Sequence, residues 1–185
     1  MNIREFKTQL ADGGARPNQF KVTIPFPYGG AEGSKQLLIS GAAMPASTVN
    51  PVITQYRGRE VKFAGERIFD PWTITVINDS DMALRGSFEK WMEEINNKDD
   101  NGGDLAWSNY VCDITVEHLD RNDETLSNGN IILEEAFPIN MSEIALQYAQ
   151  NDIIEEFTVT FQYQSYRVAN QSVGGGGAGS AIGAF

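Results

Sequence analysis

The segment of residues 63–79 constrains the fold more than any other part of the chain, because it joins a glycine-marked turn, a strand and a helix start. From Trp72 to Val76, apolar residues alternate with threonines. Successive side chains of a strand point to opposite faces of a sheet, so this alternation predicts a half-buried β-strand. Pro71 cannot donate a hydrogen bond to a neighbouring strand and marks the strand's first residue. The polar residues 78–81 are typical of a helix start, where they accept hydrogen bonds from free backbone N–H groups.

Further strands are predicted along the chain at residues 20–26, 36–40, 109–119, 131–137 and 153–166. The first two are expected to form a hairpin across a glycine-rich turn. The next two are expected to pair across a turn at residues 127–130, because Asn-Gly tolerates positive φ angles. Pro138 is expected to end the return strand. The last segment exceeds the about 5–6 residues of a common strand and indicates a large sheet or a barrel wall.

Helices are predicted in two places. One apolar face is formed by residues spaced i, i+4, i+7 and i+11, which indicates an amphipathic helix; these are Leu84, Phe88, Trp91 and Ile95. A short helix is predicted from Ile3 to Leu10, stopped by the glycines and proline of residues 13–17. Residues 141–150 fit either a short helix or an irregular strand. The residues alone therefore predict a mainly β (α+β) protein with one central amphipathic helix.

Residues 41–59 show few regular periods and contain Pro45 and Pro51. Such a long excursion is either an ordinary surface loop or a functional segment. A third interpretation is a β-hairpin arm, with strands at residues 52–56 and 60–63 around Arg57-Gly58. An isolated arm exposes backbone edges, so it would be safer when paired with another subunit.

Composition limits the class of protein. The 185 residues, 41% of them hydrophobic, suit one globular domain. The net charge of −11 would repel a nucleic-acid backbone, and its simplest role is solubility. The sequence shows no secretory leader and no apolar run of the roughly 18 residues that span a membrane, so we expect synthesis in the cytoplasm and no membrane insertion. Residues 169–185 form a Gly/Ala-rich tail that is expected to be a flexible coil.

The sequence offers little catalytic chemistry. Cys112 and His118 are the only residues of their types, which excludes an intrachain disulfide and gives no support for a catalytic triad. Both are expected to be structural. Residues 97–108 partly match a calcium-binding EF-hand loop, but Ser108 stands where the bidentate Glu belongs, so a solvated loop is favoured. We expect no catalytic residues, no cofactor and no metal, and therefore no enzyme.

The segment FAGERIFDPWTITVIND (residues 63–79) resembles the central motif of the tail tube proteins of contractile-tailed, myovirus-type bacteriophages. Three further segments resemble that family in the same order: ARPNQFKVTI, AAMPASTV and AFPINMSEIALQYAQNDIIEEFTVTFQYQSY. The resemblance covers residues 3–166. It implies a β-sandwich or partial barrel with one central helix over residues 1–168, followed by the tail of residues 169–185, for which the family suggests no role.

The resemblance also implies a function. Six copies join edge to edge into a ring with a continuous β-barrel as its inner wall, and the rings stack into the inner tube of a contractile tail. Viral DNA passes through without specific binding, along a bore whose acidity would repel phosphates. The implied partners are further copies of the chain and the sheath, baseplate, tail terminator and tape-measure proteins. The implied location is the virion, after synthesis in the host cytoplasm.

Two groups of site residues are predicted. Contacts between rings or subunits are expected at Met44, Pro45, Val49, Pro51, Tyr56, Arg57, Arg59, Glu66, Arg67 and Asp70. The last three could instead form a local surface ion-pair cluster, worth at most about 1 kcal/mol per pair. The lumen is expected to be lined by the polar strand faces Asp113, Thr115 and Glu117, and Thr158, Thr160 and Gln162.

Two alternatives remain open from the sequence. The first is the inner tube of a related injection machine, such as a type VI secretion system, a tailocin or an extracellular contractile device. The second is a monomeric β-sandwich that binds carbohydrate or calcium. That module would need an exposed platform of Trp72, Trp91 and Trp107, whereas the first two are predicted to lie in the core.

Overall fold

The computed structural model describes residues 2–10, 14–30, 33–149 and 151–169. Its elements are α1 (Ile3–Gln9), β1 (Phe20–Thr23), a 3-10 helix (Gly33–Leu38), β2 (Ile39–Ala42), β3 (Ser47–Tyr56), β4 (Arg59–Phe69), β5 (Trp72–Ile77), α2 (Ala83–Ile95), α3 (Trp107–Tyr110), β6 (Cys112–Leu119), β7 (Thr125–Met141), β8 (Glu156–Gln162) and β9 (Ser165–Val168). The predicted tail beyond residue 169 and the glycine stop at Gly13 lie outside the described residues.

Seven antiparallel strands form the main sheet, in the order β1-β6-β7-β8-β5-β2, with β9 also paired to β7. The 17-residue β7 organises this sheet. Its first part pairs with β6 and β9, and its last part pairs with β8. The two halves of the sheet thus share one strand, and the order ends at β1 and β2 without closing. The prediction of a mainly β fold with one central amphipathic helix is confirmed.

Alternation along the strands builds the core. The central apolar residues of β5, β6 and β8 are buried and join one cluster, with members Trp72, Ile74, Val76, Ile114, Val116, Phe157, Val159 and Phe161. Because both halves of the sheet contribute to the same cluster, this face of each strand is shielded from water. Burial of a large apolar side chain is worth about 1.5–3 kcal/mol, so the cluster accounts for much of the driving force for folding.

Helix α2 covers the core as predicted. Leu84, Phe88 and Trp91 are buried, and the Phe88 ring centroid lies 6.0 Å from that of Phe161. The polar stretch before the helix also acts as predicted, because Asp79 Oδ1 accepts a hydrogen bond from the Ala83 N–H at 3.0 Å. The hydrogen bond from Lys35 Nζ to Asp79 Oδ2, at 2.6 Å, is the main reason that the pKa of Asp79 is lowered.

The predicted hairpin of residues 20–26 and 36–40 is wrong. Strand β1 pairs with β6, and β2 pairs with β5, so these two strands lie at opposite ends of the sheet order. The side-chain amide of Gln36 explains the error. It donates to the Ile24 carbonyl at 2.8 Å and accepts from the Ile24 N–H at 3.1 Å, and so it satisfies backbone groups that a paired strand would have used.

The predicted turn at residues 127–130 is also wrong, although the two strands around it do pair. The chain turns earlier, where the Asp120 N–H donates to the Glu124 carbonyl at 2.8 Å. The Asp120 carboxylate accepts backbone hydrogen bonds from Asn122 and Glu124 and fixes this turn. Strand β6 begins at Cys112 rather than at residue 109, because Trp107–Tyr110 form a helical turn.

Two strand ends differ from the predictions. Pro138 lies inside β7, next to a register shift before Asn140, and such an irregularity tolerates the missing N–H. The predicted strand of residues 153–166 is two strands, β8 and β9, which pair with different parts of β7. Residues 142–149 form a loop, neither the helix nor the strand that the sequence left open.

Candidate assembly surfaces

Strands β3 and β4 form the predicted hairpin arm, which is longer than the sequence suggested and makes a two-stranded sheet of its own. At its tip, Arg57 and Gly58 adopt φ angles of 49° and 80°. A two-residue turn with both φ angles positive matches the twist of the strands it joins. The ten residues of β3 span roughly 33 Å at about 3.3 Å per residue. The arm is therefore about as long as a small domain is wide.

A bulge interrupts the arm near its base. The register shifts between Val49 and Pro51, where β4 contributes one extra residue. Gly65 lies there because a Cβ at this position would collide with the Asn50 carbonyl oxygen. Pro51 has no N–H, so it suits a position where the ladder is already irregular. The bulge thus sets the angle at which the outer arm leaves the body.

The two faces of the outer arm differ in chemistry. Cross-strand partners share a face, and the register therefore places Val52, Phe63, Val61 and Tyr56 together. These four side chains, which we call the apolar face of the arm, are 37–63% exposed. The opposite face carries Lys62, Gln55 and Glu60 beside Ile53.

The base of the arm is fixed to the body. The Phe69 ring lies edge-on to Tyr166, with centroids 5.6 Å apart, and 5.9 Å from Tyr163. The hydroxyls of Ser47 and Tyr166 are 3.3 Å apart. These contacts fix the base of the arm to the body. The apolar face of the outer arm stays exposed although its two strands pair with each other.

All ten predicted contact residues lie on this arm or next to it. Met44 and Pro45 precede β3, Asp70 follows β4, Arg57 is at the tip, and Val49, Pro51, Tyr56, Arg59, Glu66 and Arg67 are on the strands. The local ion-pair interpretation of Glu66, Arg67 and Asp70 is wrong, since no ion pair among the described residues involves them. Their role in contacts between subunits stays a prediction.

The predicted lumen residues form two polar faces on opposite sides of β7 in the sheet order. The β6 face is charged: Asp113 Oδ1 accepts from the Glu135 N–H at 3.1 Å, and Glu117 Oε2 lies 3.7 Å from Lys21 Nζ. The β8 face of Thr158, Thr160 and Gln162 is neutral and alternates with buried residues. The sheet keeps both faces away from the core, and which of them lines a lumen stays a prediction.

Sequence analysis missed a cleft between residues 144–148 and 153–156, with a volume of about 660 Å³. We call it the acidic cleft. Its apolar lining includes the exposed side chains of Leu146, Tyr148, Ile153 and Ile154, and its acidic lining is Glu155 and Glu156. The sequence signal for this cleft is a run of large apolar residues over residues 144–156 that contains acidic residues but no Lys or Arg.

The remaining candidates show structural roles. Burial raises the pKa of the Cys112 thiol to about 12, so it is a poor nucleophile at neutral pH. His118 Nε2 lies 2.9 Å from the Arg16 carbonyl oxygen. Trp72 and Trp91 are buried in the core, so the three-tryptophan platform of a binding module is not formed.

In the described ranges, no group of His, Cys, Asp and Glu is arranged to hold a metal. Each helix in this same part of the chain is too short or too polar to cross a bilayer.

Comparison with known proteins identifies the family. Residues 15–169 match the family model described as the phage tail tube protein. The chain belongs to the phage tail tube protein family. The resemblance deduced from the four sequence segments is therefore confirmed. Tail tube proteins are structural parts of the virion, and this confirms the prediction that the chain is not an enzyme.

Individual relatives agree with this assignment. The tail tube protein of Serratia phage KSP90 is 28% identical over 167 residues, covering 87% of this chain and 93% of the relative. The tail tube protein of Enterobacteria phage T4 is 31% identical, covering 79% and 86%. A solved structure, the PVC sheath/tube terminator of an extracellular contractile injection system, has a similar fold. It gives a TM-score of 0.62 at 15% identity and covers 83% of this chain and 95% of its own.

Proposed function

We propose that this tail tube protein forms hexameric rings that stack into the inner tube of a contractile tail, through which viral DNA passes. The observation that carries the proposal is the arm, a paired and anchored hairpin whose apolar face is exposed in the single chain. An exposed apolar surface of this kind is typical of a protein–protein contact, and burying it would stabilise the assembled state. Further copies of the same chain are the partners that a tube requires.

The arm is the proposed contact between successive rings, together with Met44, Pro45 and the charged residues Glu66, Arg67 and Asp70. The tail sheath, baseplate, tail terminator and tape-measure proteins are the proposed partners of the finished tube. We assign residues 1–168 to the tube subunit. Synthesis takes place in the host cytoplasm and assembly into the virion follows.

The bore is proposed to be acidic, because the chain carries a net charge of −11 and an acidic wall repels DNA phosphates. Of the two candidate lining faces, the β6 face of Asp113, Thr115 and Glu117 supplies the charge. The face of Thr158, Thr160 and Gln162 supplies neutral hydroxyl and amide groups that bind phosphate weakly. Both leave transit unobstructed.

Negative-stain electron microscopy of the purified chain, over a concentration series and alongside sedimentation, tests this proposal. We expect six-fold rings and stacked tubes with a central hole. Deletion of residues 52–59 should leave rings without long tubes. A chain that stays monomeric at high concentration, and also when added to preformed tail baseplates, would overturn the proposal.

A second candidate is the inner tube of a non-viral contractile injection system. The similarity of fold to the PVC sheath/tube terminator favours it. It shares the rings and tubes and differs only in what passes through. Neighbouring genes for a capsid and a portal would support the phage, and their absence beside injection-system genes would support this alternative.

A further inference from the structure

The chain carries two exposed apolar surfaces of opposite charge. The arm, residues 47–69, holds four basic and two acidic residues and has a net charge of +2, in a chain whose total is −11. Residues 142–156, which include the walls of the acidic cleft, hold four acidic residues and no basic one, a net charge of −4. The two surfaces are both apolar, and their net charges are complementary.

The two surfaces adjoin opposite ends of the β5–β8 ladder. The arm joins the body just before Trp72, which pairs with Phe161 at one end of the β5–β8 ladder. The cleft adjoins the other end of the same ladder, where Ile77 pairs with Glu156. The six residue pairs of this ladder separate the base of the arm from the cleft by roughly 17 Å.

Stacking of rings requires this arrangement. A tube grows along its axis only if a surface at one end of each subunit meets a different surface at the other end, which is a head-to-tail contact. A contact of the arm with a second arm would be two-fold symmetric and would close a pair instead of extending a tube.

We propose that the apolar face of the arm docks into the acidic cleft of a second copy of this chain. This inference rests on the proposed tube and names the surface that receives the arm. Phe63 and Val52 pack against Leu146 and Ile154 of the second copy. In this docking, Arg59, which shares the face of Tyr56, meets Glu156 of the second copy, a residue that lines the cleft.

Disulfide trapping between two variants tests the contact. In a Cys112→Ala background, one sample carries Phe63→Cys and the other carries Ile154→Cys, so a mixed disulfide reports only contact between copies. We expect the mixture to form it on mild oxidation. The matched control, Lys62→Cys with Ile154→Cys, places the thiol one residue away on the opposite face of the arm and should lose most of the product.

A charge exchange provides an independent readout. Arg59→Glu should raise the concentration needed for tubes by about tenfold, because it sets like charges against each other. Adding Glu156→Lys to the same chain should reverse most of that increase. Glu156→Lys alone should impair tubes, while Lys62→Glu on the other face should not.

The outcomes separate the inference from the function on which it rests. Tubes that form without the Phe63–Ile154 disulfide, or with the Lys62 disulfide instead, would overturn the docking while the tube stands. The disulfide without any ring or tube would support the docking and count against the tube. Absence of the disulfide, together with absence of assembly even on preformed tail baseplates, would overturn both.

Discussion

The body and the arm of this tail tube protein are built from the same kind of alternating strand, yet they expose their apolar faces very differently. In β5 and β8 the apolar residues are buried, as Phe161 shows with an exposure of 0%. In the arm, Phe63 is 58% exposed although its strand pairs with β3 along its length. The two arm strands pair only with each other and keep their outer edges free, and no second layer covers the arm as it covers the body. This difference is the reason that we propose a second molecule against the apolar face of the arm.

The largest effect is expected from the body. Phe161→Ala removes a ring that contacts Trp72, Phe88 and Trp91, and it should lower the free energy of unfolding by about 3–5 kcal/mol. Phe63→Ala in the arm should change it by no more than about 0.5 kcal/mol. Urea denaturation of dispersed chains measures both. Equal losses would show that the arm belongs to the core of the monomer, and the comparison would fail.

A glycine in each region sharpens the contrast. Gly65→Ala places a Cβ against the Asn50 carbonyl oxygen, so the bulge and the direction of the arm must change. We expect loss of long tubes, counted by electron microscopy, with little change in the melting temperature of the body. Normal tubes from this variant would mean that the bulge does not set the geometry of assembly.

A glycine-to-alanine substitution in α2 should change the stability of the chain and leave assembly intact. Gly86 is exposed, and a Cβ at this position would meet no atom within 4 Å beyond its chain neighbours and the adjacent helix backbone. Alanine is favoured over glycine inside a helix, so Gly86→Ala should raise the free energy of unfolding by about 0.5–1 kcal/mol. Thermal denaturation reports the gain, and tube formation should be unchanged. A loss of tubes would reveal an assembly contact on the helix.

The smallest effect concerns the start of α2. The hydrogen bond from Lys35, followed by that from the Ala83 N–H, lowers the pKa of Asp79 below its unfolded value of about 3.9. A lowered folded-state pKa means that this stabilisation is present above the unfolded pKa and is lost as the pH falls through the folded pKa. Asp79→Asn should therefore lower the melting temperature slightly at neutral pH, and the difference should vanish in acid. A constant difference across this range would contradict the charge interaction.

Local patterns predicted the fold where one interaction dominates. The alternation of β5 predicted a strand, and the spacing of Leu84, Phe88 and Trp91 predicted α2. Both predictions succeeded because burial of one face determines each element. Strand partners were harder. The predicted pairing of β1 with β2 does not form, and the side chain of Gln36 bonds the Ile24 backbone instead; no local pattern shows this.

Part of the candidate site was also predictable, where a local requirement decides the structure. Arg57-Gly58 marked the arm's tip because the turn requires particular residues. The split between β8 and β9 and the acidic cleft depend on how β7 is shared between the two halves of the sheet. Contacts between residues far apart in sequence decide that arrangement, so single-segment patterns did not reveal it.

Hydrogen–deuterium exchange of the full chain, dispersed and assembled, tests most directly whether the arm is completed by another copy. We predict that residues 47–69 exchange markedly more slowly in tubes than in dispersed chains, whereas the buried ladder of β5 and β8 exchanges equally slowly in both states. Equal exchange of the arm in the two states would show that it stays exposed in the tube, and it would contradict the account.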